Sequence, residues 1–329
     1  MSALAPTMQA FFTDRLARQR HASPETVAAY RDALRLLVSF ASQRIGKQPS
    51  QLDIADLDAP LVAGFLDHLE HERGNSVRTR NSRLAAVHSL FHYAAHRHPE
   101  HAAVIQRVLA VPPKRFDRAL ISFLTRPEVD AILASPDLHT WTGRRDQALL
   151  LLAVQTGLRA SELTRLTRAD LNLRSGPYVN CHGKGRKERI TPLTTSTVST
   201  LRAWLLERGG GPADPLFPTR SGRALSRDAI EHRLLKYVGI ASKCCPSLKN
   251  KRISAHVLRH TAAMQLLRAG VDTSVIALWL GHEHVETTQI YLHADLSIKQ
   301  RALARTKPLT AKPGRFQPSD SLLAFLEAL

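Results

Sequence analysis

Through residues 1–110 apolar side chains recur at three- and four-residue steps, the spacing that gathers them on one face of a helix. Ser23-Pro24-Glu25 reads as an N-cap, a first-turn proline and an acid matched to the helix dipole. The run behind it sets Val27, Tyr30, Leu34, Leu37 and Ala41 on a common face. Asp58-Ala59-Pro60 opens a second helix through Leu61, Val62, Phe65, Leu66 and Leu69, with Gly74 as its stop. Ser76 opens a third through Leu84, Val87, Leu90, Phe91 and Ala94. Val111-Pro112-Pro113-Lys114-Arg115 then breaks the pattern, because two prolines remove two backbone donors and favour extended chain.

Beyond the break the periodicity becomes mixed. Thr125-Arg126-Pro127-Glu128 is a capping box, threonine capping and glutamate three residues on, and predicts the start of a new domain. Asp146 to Thr156 is an almost wholly apolar helix closed by Gly157, and Arg159-Ala160-Ser161-Glu162-Leu163 begins the next. Tyr178–His182 and Glu188–Leu193 are strand candidates around Gly183-Lys184-Gly185-Arg186-Lys187, a turn of hairpin length. Ser254 is expected to cap a helix that carries His256 and Arg259 and ends at Gly270. Asp272 caps another that ends at Gly281, and a last helix holds Thr287, Thr288 and Tyr291. Pro308, Pro313 and Pro318 mark a loose connection to a short apolar helix with Leu322, Leu323, Phe325 and Leu326. The pattern predicts a mainly α chain with a small β-sheet: a helical domain over 1–112, a linker over 113–124, a second domain over 125–305 and a tail over 306–329.

Composition narrows the partner. The 329 residues carry 46 lysines and arginines against 28 acids, a formal charge of +18. Such a surplus concentrates polyanions, of which nucleic acid is the commonest, but it fixes a partner class and not an activity. Residues 1–115 hold 15 basic and 10 acidic side chains and the rest hold 31 and 18, so both parts could contact one duplex. Arg78, Arg80 and Arg83 lie early in the third helix and read either as a solvated face or as contacts to DNA phosphates. Cys181, Cys244 and Cys245 fit neither a disulfide framework nor a zinc ligand set. The histidines show no HExxH or Cys–His spacing, and His92 and His96 lack a third ligand, so no metal is expected. No apolar run approaches the roughly 18 residues of a membrane span and no signal design opens the chain, which predicts a soluble, cytoplasmic protein without membrane partners.

The candidate chemistry lies in the second domain. His256 and Arg259, three apart, share a helix face suited to an anion. His282 follows a helix C-terminus, Arg159 follows the glycine stop of a buried helix, and Lys184 sits between glycines that let a ligand approach. Singly these are modest signals. Their order is specific: Thr156-Gly157-Leu158-Arg159-Ala160-Ser161-Glu162-Leu163, then Gly183-Lys184-Gly185-Arg186-Lys187-Glu188-Arg189, His256-x-x-Arg259, Leu280-Gly281-His282, and Tyr291 nine residues on. This set resembles the tyrosine recombinase (phage integrase) family, and closely its Xer-like branch, from about residue 120 to 300. The helical N-terminal part looks like that family's core-binding, SAM-like domain, so the fold implied is that of DNA breaking–rejoining enzymes.

The resemblance implies a site-specific recombinase or integrase of double-stranded DNA. Arg159 and Arg259 would clamp the scissile phosphate, Lys184 would protonate the leaving 5′ oxygen, His256 would handle the tyrosine's proton, and His282 would donate to a phosphate oxygen. Tyr291 would attack to give a 3′-phosphotyrosine, with Lys187 as the alternative lysine or a DNA contact. A covalent phosphate ester conserves the bond energy during exchange, so no ATP or other cofactor is needed. The family's habit implies a tetramer on two sites, or a set of related recombinases, exchanging strands through a Holliday junction with the last helix docked on a neighbour. The helical domain begins within the first dozen residues, which implies no additional arm-binding domain, and the tail after Tyr291 looks more like integrases of mobile elements. An inactive DNA-binding accessory protein and a type IB topoisomerase-like enzyme are the alternatives.

Overall fold

The computed structural model describes residues 4–116, 121–183, 188–282 and 286–294. The chain divides into two compact units, 1–118 and 119–329.

The first unit is helical. Helix α1 (Leu4–Ala10) runs on through wider, π-helical turns over Phe11–Gln19. It is followed by α2 (Pro24–Ile45), α3 (Ala59–His71), α4 (Val77–Ala95) and α5 (Ala102–Leu109). The expected caps form: the side chains of Ser23, Asp58 and Ser76 accept from the backbone N–H groups of Thr26, Leu61 and Thr79. Helix α3 stops short of Gly74, whose φ of +61° turns the chain so that the Asn75 N–H reaches the Leu69 carbonyl. Phe11, Leu34, Leu37, Phe65, Leu66, Leu69, Val87 and Phe91 form the core these faces share.

The α4 arginines diverge in role. Arg78 is exposed, whereas Arg80 is buried and donates to the Asn81 side chain and the Pro112 carbonyl. Asn81 in turn exchanges hydrogen bonds with the backbone of Lys114. Arg80 is therefore neither solvated nor presented to a phosphate in this state; it ties the segment after α5 to α4. Arg83 is half-buried.

The second unit contains α6 (Arg126–Leu133), α7 (Trp141–Thr156), α8 (Ala160–Leu163), β1 (Leu171–Asn172), β2 (Tyr178–His182), β3 (Glu188–Pro192), α9 (Thr195–Arg208), α10 (Arg227–Ala241), α11 (Ala255–Arg268), α12 (Thr273–Leu280) and α13 (Glu286–Ala294). The three strands form an antiparallel sheet in the order β1-β2-β3, with Asn180 opposite Ile190. The capping box at Thr125 forms, and its Glu128 also accepts from Ser247 and Lys251. Helix α7 begins at Trp141, earlier than the apolar run, because its polar first turns are buried too: Arg145 pairs with Asp146, which also accepts from Tyr237. Ser254 stands at the N-cap position of α11 in extended backbone, but its side chain makes no cap hydrogen bond. The α11 N-terminus is met by the Glu231 carboxylate, which accepts from the Ala255 N–H at 3.1 and 3.2 Å and complements the helix dipole from α10.

Leu149, Leu152, Leu201, Trp204, Leu234 and Leu258 anchor the main core of this unit. A smaller cluster of Ala263, Met264, Ile276, Leu280 and Tyr291 joins α11, α12 and α13. That second cluster positions the site.

Candidate active site

Two helix ends meet at the site, each closed by a glycine in the left-handed region. Gly157 ends α7 at φ +65° and Gly281 ends α12 at φ +67°, conformations that cost a side-chain-bearing residue energy. A β-carbon on Gly157 would lie 2.7 Å from Leu280 Cδ2 and 3.1 Å from Ala262 Cβ. The close approach of the two ends therefore requires glycine there as well.

Arg259 bridges these ends. Its Nη1 donates to the Gly157 carbonyl at 2.8 Å and its Nη2 to the Leu280 carbonyl at 2.6 Å. The guanidinium is 1% exposed, and burial, reinforced by the charge of Arg159, lowers its pKa to about 10, so it stays charged at neutral pH. Two of its five N–H donors are spent on carbonyls, leaving donors for a further acceptor. A buried cation solvated by carbonyls rather than by a direct carboxylate suits an incoming anion.

Arg159 is held from the other side. The Glu162 carboxylate accepts from the Arg159 backbone N–H and Nη1, and from both terminal nitrogens of Arg189, the latter at 3.0 and 2.7 Å. Arg189 Nε also donates to the Trp279 carbonyl, so β3, α8 and α12 are tied through one carboxylate. Burial alone would raise the Glu162 pKa, but the hydrogen bonds and charge of Arg189, with help from Arg159, lower it overall. Arg159 retains about a third of its side-chain surface and makes a long contact of 3.4 Å to the Gly281 carbonyl. Its guanidinium thus reaches outward beside that of Arg259.

Tyr291, on α13, is 1% exposed, and its hydroxyl shares a hydrogen bond with His260 Nδ1 at 3.1 Å. Burial raises the phenol's pKa, while Arg259 and Arg159 oppose that rise. His256, one turn before His260, places its ring edge-on at 4.3 Å between centroids and does not itself bond the hydroxyl. Its pKa is lowered by loss of water and by Arg259 and Arg159. His282 lies parallel to the Tyr291 ring and shares a 2.8 Å hydrogen bond through Nδ1 with the buried Thr288 hydroxyl, which leaves Nε2 for another partner. Burial, then Arg259 and Arg159, lowers its pKa to about 4, so it is neutral at pH 7.

The fold therefore gathers Arg159, His256, Arg259, His282 and Tyr291, five of the residues singled out in the sequence, around one buried positive field. Lys184 and Lys187 lie outside the described residues, as do Leu322, Leu323, Phe325 and Leu326. Sequence reasoning missed His260, although a histidine four residues after His256 must share its helix face. It assigned no role to Glu162, Arg189 or Thr288, whose contacts are made across the fold. Among the described residues no group of three histidines, cysteines or acids could hold a metal ion, and no helix is long and apolar enough to cross a membrane.

Residues 122–297 match the phage integrase family, and residues 10–98 match the phage integrase N-terminal SAM-like domain. The chain is 56% identical over 328 residues to the putative integrase/recombinase y4rC of Sinorhizobium fredii (strain NBRC 101917 / NGR234), covering 100% of this chain and 99% of that protein. It is 32% identical over 306 residues to tyrosine recombinase XerD of Pseudomonas putida, covering 90% and 96% of the two chains. The fold is similar to that of the XerH site-specific recombinase in a post-cleavage complex with palindromic difH substrate, at TM-score 0.67 and 22% identity over 87% of this chain and 81% of that one. It is also similar to that of the Tn1549 transposon integrase in complex with a circular intermediate DNA, at TM-score 0.68 and 16% identity over 91% and 99%. With its catalytic-domain match, its helical N-terminal match and relatives that share nearly its whole length, the chain belongs to the phage integrase family, that of the tyrosine recombinases.

Proposed function

We propose that this protein is a site-specific DNA recombinase that cleaves one strand with Tyr291 and rejoins it to a different partner. One observation carries the reading: a buried guanidinium, Arg259, is held by two backbone carbonyls beside a tyrosine hydroxyl. A phosphodiester placed on Arg259 and Arg159 would meet planar donors matched to its non-bridging oxygens, where the transition state gathers negative charge. Each such donor contributes on the order of 10²–10³ in rate. His282 Nε2 would supply another donor, oriented by Thr288. Lys184 would protonate the departing 5′ oxygen, with Lys187 as the alternative. His256, beside these groups, would help set the protonation of the site. The product is a 3′-phosphotyrosine and a free 5′-hydroxyl, and attack by a 5′-hydroxyl from the partner duplex reverses the step without ATP or metal.

The strand-exchange assembly follows from the same chemistry. Four copies on two sites, working in pairs through a Holliday junction, would return both duplexes intact. The basic N-terminal unit would add phosphate contacts of its own, with exposed Arg78 and half-buried Arg83 as the candidates. The similarity to XerD and to a transposon integrase favours exchange between defined sites over the supercoil relaxation of a topoisomerase.

The test uses duplex DNA from the end of the element that carries the gene, nicked so that the cleaved fragment diffuses away. Wild type is expected to give a protein–DNA adduct on a denaturing gel, and Tyr291→Phe to bind without forming one. An adduct with Tyr291→Phe, or none with either protein on DNA that both bind specifically, would overturn the assignment.

A further inference from the structure

We propose that His260 is a catalytic residue of this site: its Nδ1 accepts the Tyr291 phenolic proton as the tyrosine attacks the scissile phosphate. The inference rests on the reading of Tyr291 as the nucleophile and deepens it. A phenol with an ordinary pKa near 10 is barely ionised at neutral pH, so attack needs a proton acceptor on the hydroxyl. The Tyr291 side chain is 1% exposed, which keeps bulk water from serving. Arg259 and Arg159 face the hydroxyl electrostatically, but guanidinium groups have no lone pair to offer. The ring of His282 lies parallel to Tyr291 at 6.4 Å between centroids, with Nδ1 committed to Thr288. His256 stands behind His260, ring against ring. Among the described residues, the nitrogen in contact with the hydroxyl is His260 Nδ1, at 3.1 Å.

The chain arranges this economically. His260 follows Arg259 directly on α11, so one helix turn presents both the anion clamp and the proton acceptor. Burial first, then the nearby His256 and Arg259, lowers the His260 pKa to about 4, which leaves the imidazole neutral and its lone pair open at pH 7. A phosphodiester seated on Arg259 adds negative charge beside the ring and raises its basicity when the proton must move. In the step, the proton passes from Tyr291 Oη to His260 Nδ1 while Oη bonds to phosphorus. The bond from phosphorus to O5′ breaks, and O5′ takes a proton from the general acid, Lys184. In the return step the imidazolium gives its proton back to Oη as a 5′-hydroxyl displaces the tyrosine.

Single-turnover cleavage of the nicked substrate by the full chain tests this. His260→Ala is expected to slow cleavage about 10²–10⁴-fold, the usual worth of a general base, with DNA affinity unchanged. His260→Asn keeps a polar atom near Nδ1 but cannot take up a proton, and it is expected to be as slow as His260→Ala. Replacing Tyr291 with a fluorotyrosine, whose phenol is more acidic, should restore much of the rate lost in either variant. A 5′-bridging phosphorothiolate, whose sulfur leaves without a proton, should rescue Lys184→Ala and not His260→Ala. Cleavage by His260→Ala within threefold of wild type would overturn the proposal, as would a full rate with His260→Asn or rescue by the sulfur substrate rather than by fluorotyrosine. An adduct with Tyr291→Phe would instead remove the nucleophile assignment, which separates the two failures.

Discussion

Glu162→Gln is the substitution most informative about how the phosphate clamp is held. The carboxylate is buried and makes four hydrogen bonds, two from Arg159 and two from Arg189. Glutamine is nearly isosteric, but it carries no charge and turns an NH₂ group toward guanidinium donors. Removing one partner of a buried ion pair costs about 3–5 kcal/mol. Here the Arg159 side chain is 34% exposed and that of Arg189 11%, so water recovers part of the loss. A cost of about 2–4 kcal/mol, at roughly 2–4 °C per kcal/mol for a unit of this size, places the fall in Tm at roughly 5–15 °C. The sign with pH is fixed by the lowered pKa of Glu162 relative to its ordinary 4.5. The folded protein holds the ionised form, so the stabilisation is complete above pH 4.5 and is lost as pH falls below it. The gap in Tm between wild type and Glu162→Gln should therefore narrow as pH drops through that value. Thermal unfolding followed by circular dichroism at pH 7 and at pH 4 tests both parts. An unchanged Tm at pH 7, or a gap that is constant between the two conditions, would refute the reasoning. Cleavage should also fall, because Arg159 loses the anchor that aims it.

Gly157→Ala should cost about 2–4 kcal/mol, from left-handed backbone strain plus the contact with Leu280, and should appear as a lowered midpoint in urea unfolding. Thr288→Val removes the hydroxyl that orients His282; it should slow cleavage on the nicked substrate while leaving DNA affinity intact, and an unchanged rate would count against that orienting role. Arg78→Ala should weaken DNA binding and reduce the salt slope by about 1, whereas Arg80→Ala should lower Tm through loss of the bond to Pro112 and leave the slope unchanged, as read by binding titrations in graded salt.

Much of this architecture was legible because it is written in local signals. The caps at Ser23, Asp58, Ser76 and Thr125 and the left-handed stops at Gly157 and Gly281 depend on neighbours only a few residues away. The strands Tyr178–His182 and Glu188–Pro192 follow from a turn of hairpin length between two runs with strand propensity. Helices α9 and α10 were not anticipated: their buried positions are sparse and interrupted by basic and polar residues, so the periodic signal is weak. The start of α7 was missed because Arg145 and Asp146 look like surface residues until the bond from Tyr237, distant in sequence, accounts for their burial. Ser254 holds the N-cap position of α11 as its sequence indicates, but the carboxylate that accepts from the helix N-terminus is that of Glu231, which arrives from another helix and is invisible to a local signal.

The site divides along the same line. Arg159, Arg259, His256, His282 and Tyr291 stand in motifs whose order is readable, and the fold brings them together. The Glu162–Arg189 pair spans 27 positions and the His260–Tyr291 pair 31, distances at which no periodicity argument acts. Arg80 misled in the opposite direction: a basic residue early in an exposed-looking helix turned inward because the Pro112 carbonyl needed a donor.

The most direct test of the central claim is the chemical identity of the covalent link. The adduct trapped on nicked DNA would be digested with trypsin and its nucleotide-bearing peptide sequenced by mass spectrometry. Tryptic cleavage after Arg268 and Lys299 leaves a peptide, 269–299, whose single tyrosine is Tyr291. The account predicts the mass of a nucleotide 3′-phosphate on Tyr291 and a free 5′-hydroxyl on the released strand. A nucleotide on any other peptide, or a link through a 5′-phosphate, would contradict it.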